Sequence, residues 1–155
     1  MAAPPADLLA RARAVRASAH APYSRFQVGA AVRAADGSIH AGCNVESSSY
    51  GLTICAERAA VFAAVAAGAT GEGRPPLRAV CLVAAGPRPV PPCGACRQVL
   101  FEHLAPDAII WMVEAASGAA ESRTAAELLP DGFDPSFLGG GRGGGGGGGG
   151  GGRTP

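Results

Sequence analysis

The stretch RAVCLVAAGPRPVPPCGACRQVLFEHLAPDAIIWMV, residues 78–113, decides the fold of this chain. It begins with a short apolar run at residues 78–84, which predicts a buried strand, and a pair of prolines marks the turn that follows. Residues 93–104 carry apolar side chains at helical spacing, and residues 108–113 predict a further strand. A strand, a helix and a second strand in this order are typical of a layered α/β domain.

The residues before this stretch extend the same pattern. The predicted elements are a helix within residues 6–19, strands at residues 26–34 and 38–43, and a helix at residues 53–67. Asp36 and Gly37 suit the turn of a hairpin between the two strands, and Gly68 suits the left-handed end of the second helix. We therefore predict an α/β fold, a three-layer mixed sheet with helices on both faces.

The C-terminal part contains one short element and a tract of low complexity. Thr124 and Glu127 have the spacing of a capping box, which predicts about one helical turn before Pro130. From residue 139 the chain is almost pure glycine, which cannot bury apolar area to offset its ordering entropy. We expect one catalytic domain at residues 1–138 and a disordered glycine-rich tail at residues 139–155.

The composition excludes several functions. All 13 basic residues are arginine, so the 155-residue chain has neither the lysine of a Walker phosphate loop nor a Schiff-base lysine. The net charge is only +1 and the arginines are scattered, which argues against a nucleic-acid partner. No apolar run could span a membrane and no secretory signal is visible, so we expect a cytoplasmic protein. A transit peptide in the Arg- and Ala-rich residues 6–19 is the alternative.

Cys93 and Cys96 lie three residues apart at the start of a predicted helix, where both sulfurs share one face and can reach one ion. Alone, this pair is equally compatible with a redox pair or with half of a structural zinc site. The three histidines are too scattered to favour a closed site with four ligands. Cys43 and Cys81 fall in predicted strands, where free cysteine usually packs as a small apolar residue.

A third cysteine changes this interpretation. Cys55 and Glu57 open the other long helix, and Cys-x-Glu followed by Pro-Cys-x-x-Cys is the arrangement of zinc deaminases. Three ligands leave the fourth position of a tetrahedral zinc to water, which is typical of a catalytic site. Glu57 would then transfer protons, and Arg58 would offset the excess negative charge of three thiolates.

Several motifs together resemble the short, homotetrameric type of cytidine deaminase. They are PYSRF at residues 22–26, NVE at 44–46, CAER at 55–58, PCGACRQ at 92–98 and LLPDGF at 128–133. The resemblance covers most of the folded chain. It implies a cytidine deaminase-like fold with one Zn²⁺ per subunit, bound by Cys55, Cys93 and Cys96, and Glu57 as the catalytic residue.

The resemblance also implies roles for substrate-binding residues. Asn44 and Glu46 would bind the ribose hydroxyl and Phe26 would pack against the pyrimidine, while Tyr50 and Phe133 would complete the sites of neighbouring subunits in a homotetramer. The alternative for Asn44 and Glu46 is a plain turn after the second strand. Ser47 replaces the asparagine expected in many relatives, which leaves the conformation of the 47–49 loop open.

The resulting expectation is zinc-dependent hydrolysis of cytidine and 2′-deoxycytidine to the uridine nucleosides and ammonia, in pyrimidine salvage. One alternative is a deaminase of another aminopyrimidine compound, such as a nucleoside antibiotic, which need not keep Asn44 and Glu46. Another is a non-catalytic zinc-stabilised binding module, which would leave Glu57 without a purpose. Polynucleotide deamination is disfavoured because such a nearly neutral chain does not suggest a cationic channel.

Overall fold

A computed structural model describes residues 3–138, which form a five-stranded sheet covered by helices on both faces. The helices are α1 (Ala6–Arg16), α2 (Ala56–Ala66), α3 (Gly94–His103) and α4 (Ala125–Leu128). The strands are β1 (Val28–Arg33), β2 (Ile39–Cys43), β3 (Leu77–Ala84), β4 (Leu104–Glu114) and β5 (Ala120–Arg123). Short 3-10 turns lie at Tyr50–Leu52 and Pro135–Leu138.

The strand order is β2-β1-β3-β4-β5, and the sheet is mixed. The hairpin of β1 and β2 is antiparallel, and β1 continues antiparallel onto β3. The pair β3 and β4 is parallel and is connected through α3, as the strand, helix and strand of residues 78–113 predict. This connection places the start of α3 beyond the end of β3, on the same side of the sheet as α2.

Two apolar clusters fill the spaces between the three layers. On one face α1 contributes Leu8 and Ala12, which are fully buried against β-strand residues such as Cys81 and Val83. On the other face α2, α3 and α4 pack over the larger cluster. Its fully buried members include Ala30, Val32, Ala60, Val61, Val80, Leu100 and Ile110. The predicted fold class is therefore confirmed.

Two glycines allow helices to approach the sheet closely. A Cβ atom at Gly29 of β1 would lie 2.1 Å from the Ala12 carbonyl oxygen of α1. A Cβ atom at Gly42 of β2 would lie 2.4 Å from the Ala60 backbone nitrogen of α2. Any side chain at either position would force the helix away from the strand, so these glycines set the distance between layers.

The structure corrects some predicted boundaries. The second helix starts at Ala56 and not at Thr53, because Ile54 forms an isolated β-bridge with Val45 and Cys55 keeps an extended backbone. Strand β5 was not predicted because its sequence, AESR, shows no apolar alternation and forms its strand by pairing with β4. The predicted capping box is present, since the Glu127 amide donates to Thr124 Oγ1 and Glu127 Oε2 accepts from the Thr124 amide.

The expected tail at residues 139–155 lies outside the described residues. Within residues 3–138, no helix is both long and apolar enough to cross a membrane.

Glu114, at the end of β4, organises the turn that leads into β5. Its side chain accepts hydrogen bonds from the amides of Ala116 and Ser117, at 3.0 Å and 2.6 Å, and from the Ser117 hydroxyl. These bonds, led by the Ser117 amide, lower the pKa of Glu114 from 4.5 to about 2. The ionised carboxylate is therefore favoured in the folded chain.

This turn generates a prediction for stability against pH. A lowered pKa stabilises the fold above the unfolded pKa of 4.5, and this contribution is lost as pH falls towards about 2. Glu114→Gln should therefore lower the melting temperature at pH 7, with the difference from the parent chain shrinking between pH 4.5 and 2. Thermal unfolding by circular dichroism measures this difference. A difference of constant size across that range would contradict the role of the carboxylate charge.

Candidate functional site

The site is built where two helices begin. Cys55 precedes the first residue of α2 and Cys93 precedes the first residue of α3, both as N-cap residues with extended backbones. Cys96 lies one turn into α3 and is fully buried. The free N–H groups and the dipole of a helix start favour a thiolate over a thiol.

The three sulfur atoms converge, as the sequence predicts. The Sγ atoms of Cys55 and Cys93 are 3.9 Å apart, and all three sulfurs lie within 4.8 Å of one another. Sulfur ligands of a tetrahedral zinc ion with Zn–S distances of about 2.3 Å lie roughly 3.8 Å apart. The spacing and the soft sulfur donors therefore fit zinc, and three ligands leave a coordination position open.

The ionisation of these thiols is uneven. A hydrogen bond from the Cys96 thiol, helped by Arg58, lowers the pKa of Cys55 to about 5. The same hydrogen bond and burial raise the pKa of Cys96. Three negative sulfurs this close would repel one another, so full ionisation of the cluster needs a divalent cation. This requirement is a second respect in which the residues fit zinc.

Arg58 is the positive group beside the cluster. Its Nη2 atom donates to the Thr53 carbonyl at 3.1 Å and contacts Cys55 Sγ at 3.5 Å. Its Nε atom is buried without a hydrogen-bond partner among residues 3–138. The neighbouring Cys55 raises the pKa of the guanidinium, so Arg58 carries a fixed positive charge next to sulfur. The structure thus places Arg58 beside the cluster, and its role in offsetting the thiolate charge stays a prediction.

Glu57 lies in the first turn of α2 and is 5% exposed. Burial is the main cause that raises its pKa, and the charge of Cys55 adds to this effect. A hydrogen bond with Cys96 acts in the opposite direction, which places the carboxyl group against the sulfur cluster. A buried carboxyl group that interacts with Cys55 and Cys96 is not explained by the helix dipole alone.

Glu46 binds the turn of residues 23–26. Its Oε2 atom accepts from the amides of Tyr23 and Ser24, at 2.9 Å and 3.2 Å, and its Oε1 atom accepts from the Ser24 hydroxyl. These bonds, led by the Ser24 hydroxyl, lower the pKa of Glu46. A carboxylate has about four lone-pair sites, so these three bonds leave room for one further donor.

The Asn44 side chain makes hydrogen bonds to the backbone, as expected of a turn residue. Its side chain is 8% exposed, its Oδ1 atom accepts from the Val28 amide, and its Nδ2 atom donates to the Phe26 carbonyl, both at 2.8 Å. An amide has a second hydrogen and further lone pairs, so these bonds do not exhaust its capacity. The structure therefore brings Asn44 and Glu46 together around the same turn.

The three aromatic residues that are predicted to contact the substrate are exposed to different degrees. Phe26 is 41% exposed, Phe133 is 52% exposed and Tyr50 is 73% exposed. Tyr50 meets Tyr23 edge to face at a centroid distance of 5.6 Å. These two tyrosines line a cavity of about 340 Å³ together with Ser24, Glu46 and Thr53.

The start of α3 also holds the C-terminal segment that carries Phe133. Gln98 Nε2 donates to the Phe133 carbonyl at 2.8 Å, and Arg97 donates to the Leu128 carbonyl at 3.0 Å. A second bond from Arg97 reaches the Pro92 carbonyl, next to Cys93. One helical turn thus supports two of the cysteines and the segment leading to Phe133.

Sequence reasoning did not assign roles to Tyr23, Ser24 and Thr53. The motif at residues 22–26 was visible, but a hydrogen bond across more than twenty residues leaves no local pattern. The structure also shows the conformation of the 47–49 loop, which the sequence did not predict. Ser47 Oγ accepts from the Ser49 amide and the Ser47 amide donates to Thr53 Oγ1, so serine closes this loop itself.

Comparisons with known proteins agree with this geometry. The family described as "Cytidine and deoxycytidylate deaminase zinc-binding region" matches residues 5–112. The chain is 47% identical over 126 residues to a cytidine deaminase of Halalkalibacterium halodurans, covering 81% of this chain and 91% of that protein. It is 45% identical over 117 residues to a cytidine deaminase of Mycobacterium tuberculosis, covering 76% and 80% of the two chains.

Solved structures show the same likeness. A crystal structure of cytidine deaminase from Burkholderia pseudomallei has a TM-score of 0.75 and 44% identity, covering 82% of this chain and 97% of the other. A cytidine deaminase from Mycobacterium leprae has a TM-score of 0.65 and 40% identity, covering 81% and 96%. With matching fold, matching zinc-binding region and three converging cysteines, the chain belongs to the zinc-dependent cytidine deaminase family.

Proposed function

We propose that the chain hydrolyses the exocyclic amine of free cytidine and 2′-deoxycytidine, giving uridine or 2′-deoxyuridine and ammonia, as a step of pyrimidine salvage. The observation that carries this proposal is the convergence of three thiols, with the buried Glu57 in the first turn of the helix that Cys55 precedes. Family membership supports the reaction. Three hydrogen bonds from the turn hold the Glu46 carboxylate and leave room for one further donor, such as a sugar hydroxyl group. This supports a nucleoside substrate over an aminopyrimidine without a sugar.

Cys55, Cys93 and Cys96 would hold the zinc ion, and Arg58 would offset part of the thiolate charge. Zinc in such a site makes water acidic enough to supply a nucleophile at neutral pH. Glu57 would accept a proton from this water and deliver protons to the ring nitrogen and then to the departing amine. The overall reaction consumes one water and releases one ammonia for each nucleoside.

We propose a homotetramer with shared active sites as the working form. Its support is the exposure of apolar side chains that a lone subunit leaves in water, including Tyr50, Leu52, Phe62 and Phe133. Tyr50 and Phe133 would then contact the substrate of a neighbouring subunit. We also propose a cytoplasmic location, because three metal-binding thiols need a reducing compartment.

Zinc content and turnover should separate in matched variants. The purified chain should contain about one zinc per subunit, and Glu57→Gln should keep it while losing ~10²- to 10⁴-fold in kcat. Cys93→Ser should lose zinc but keep α3, because serine is itself a preferred N-cap residue. Elemental analysis, circular dichroism and an ultraviolet assay measure these three properties. Zinc-free active protein, or near-normal turnover by Glu57→Gln, would contradict the assigned roles.

Sugar recognition should depend on Glu46. A hydrogen bond to a charged group contributes about 1.5–3 kcal/mol, so Glu46→Ala should lower kcat/KM for cytidine roughly 10- to 150-fold. The loss should be much smaller with 3′-deoxycytidine, which lacks the hydroxyl group. Glu46→Gln keeps an amide oxygen for the Ser24 turn but removes the charge, so it should still lose more activity on cytidine than on 3′-deoxycytidine. Equal losses on both nucleosides would mean that Glu46 only shapes the turn.

Shared sites predict complementation between two impaired variants. Phe133→Ala should lower activity roughly tenfold through lost packing on the substrate, and Glu57→Gln should be nearly inactive. Co-expressed in one cell, they should form mixed tetramers in which an intact Phe133 meets an intact Glu57. Activity should then exceed the sum of the separate variants several-fold. If the mixture gives only that sum, each subunit uses its own Phe133.

A further inference from the structure

The turn of residues 23–26 has a backbone that must be held in place. Arg25 has φ 58°, in the left-handed region that non-glycine residues seldom adopt. The Arg25 amide donates to the Ala21 carbonyl at 3.0 Å, which closes the turn on one side. Such conformations persist where surrounding contacts over-determine them, so the side chains that touch this turn control its shape.

The Ser24 hydroxyl makes two of these contacts. It donates to Glu46 Oε1 and accepts from the Phe26 amide at 3.0 Å. The Ser24 amide adds a bond to Glu46 Oε2. A single hydroxyl group therefore joins the carboxylate of Glu46 to the backbone of Phe26.

Phe26 is held from its other side as well. Its carbonyl accepts from Asn44 Nδ2 at 2.8 Å, and Asn44 Oδ1 accepts from the Val28 amide two residues later. Both peptide groups of Phe26 are thus fixed, one by Ser24 and one by Asn44. Phe26 is 41% exposed, so packing holds it only in part and the backbone bonds help to place it.

We propose that Ser24 is a positioning residue that couples recognition of the sugar to recognition of the base. Its hydroxyl orients the Glu46 carboxylate towards the 3′-hydroxyl of the nucleoside and, through the Phe26 amide, fixes the ring that packs on the pyrimidine. This inference rests on the proposed function, in which Glu46 and Phe26 contact the substrate. Ser24 itself lines the cavity beside Glu46 and Tyr50.

The coupling explains why the turn makes three hydrogen bonds to the Glu46 carboxylate. A carboxylate that bound only the sugar could rotate, and each rotation would weaken its bond to the hydroxyl group. Three donors from the turn fix both carboxylate oxygens, so little further ordering is needed when the nucleoside binds. The Ser24 bond is also the largest cause that lowers the pKa of Glu46.

The test compares Ser24→Ala with Ser24→Thr, which keeps the hydroxyl group. The value measured is the ratio of kcat/KM for cytidine to kcat/KM for 3′-deoxycytidine. Ser24→Ala should lower this ratio about 2- to 12-fold, as expected for one hydrogen bond, mainly through KM. Ser24→Thr should stay within about twofold of the parent chain. Measured without any turnover, the preference of Ser24→Ala for binding uridine over 3′-deoxyuridine should fall in the same way.

Glu46→Gln, measured alone and combined with Ser24→Ala, separates the possible failures. If Ser24 acts through Glu46, the double variant should lower the ratio little more than Glu46→Gln alone. An unchanged ratio in Ser24→Ala, with a lowered ratio in Glu46→Gln, would overturn the role of Ser24 only. An unchanged ratio in Glu46→Gln would overturn the sugar contact of the proposed function, and the coupling with it. Equal losses on both substrates in Ser24→Ala would show that Ser24 acts on the turn and not through Glu46, which would overturn the coupling.

Discussion

The contact of α2 with the sheet at Gly42 is the constraint on which the site depends. The backbone of Ala60 occupies the space that a side chain on β2 would need. This contact lies one turn from Glu57, so it fixes the height of the helix start above the sheet. Because α3 reaches the same place through the connection between β3 and β4, two helix starts meet there. The convergence of the sulfurs is a consequence of this packing.

The starts of α2 and α3 also reduce the negative charge of the cysteine cluster. Three thiols within 4.8 Å cannot all ionise unless positive charge is nearby, and the structure supplies it from several sources. The helix starts contribute partial positive charge, and Arg58 contributes a full one at 3.5 Å from Cys55. A cation is still required for complete ionisation. The protein environment therefore moderates the charge of the site and leaves the larger part to the metal.

Features formed by interactions between residues close in sequence could be predicted, and features formed by contacts between distant residues could not. The apolar periods of the helices and of β3 are local and gave the fold class, and the cysteine spacing gave the sulfur cluster. The start of α2 was misplaced because the bridge between Ile54 and Val45 is a contact across the loop. Strand β5 depends on pairing with β4, and the bonds of Ser24 and Glu46 span 22 residues. These features depend on tertiary neighbours that a local pattern does not contain.

The last strand of the sheet has a further consequence for how chains can meet. Strand β5 forms one edge of the sheet and, within residues 3–138, pairs with β4 alone; it carries the oppositely charged Glu121 and Arg123. Charged residues on a short edge strand discourage another chain from adding its own strand there. This protects the fold from the edge-to-edge stacking that leads to insoluble aggregates. Pairing of a second chain at the β5 edge is thereby disfavoured, whereas the exposed aromatic residues lie on helices and loops.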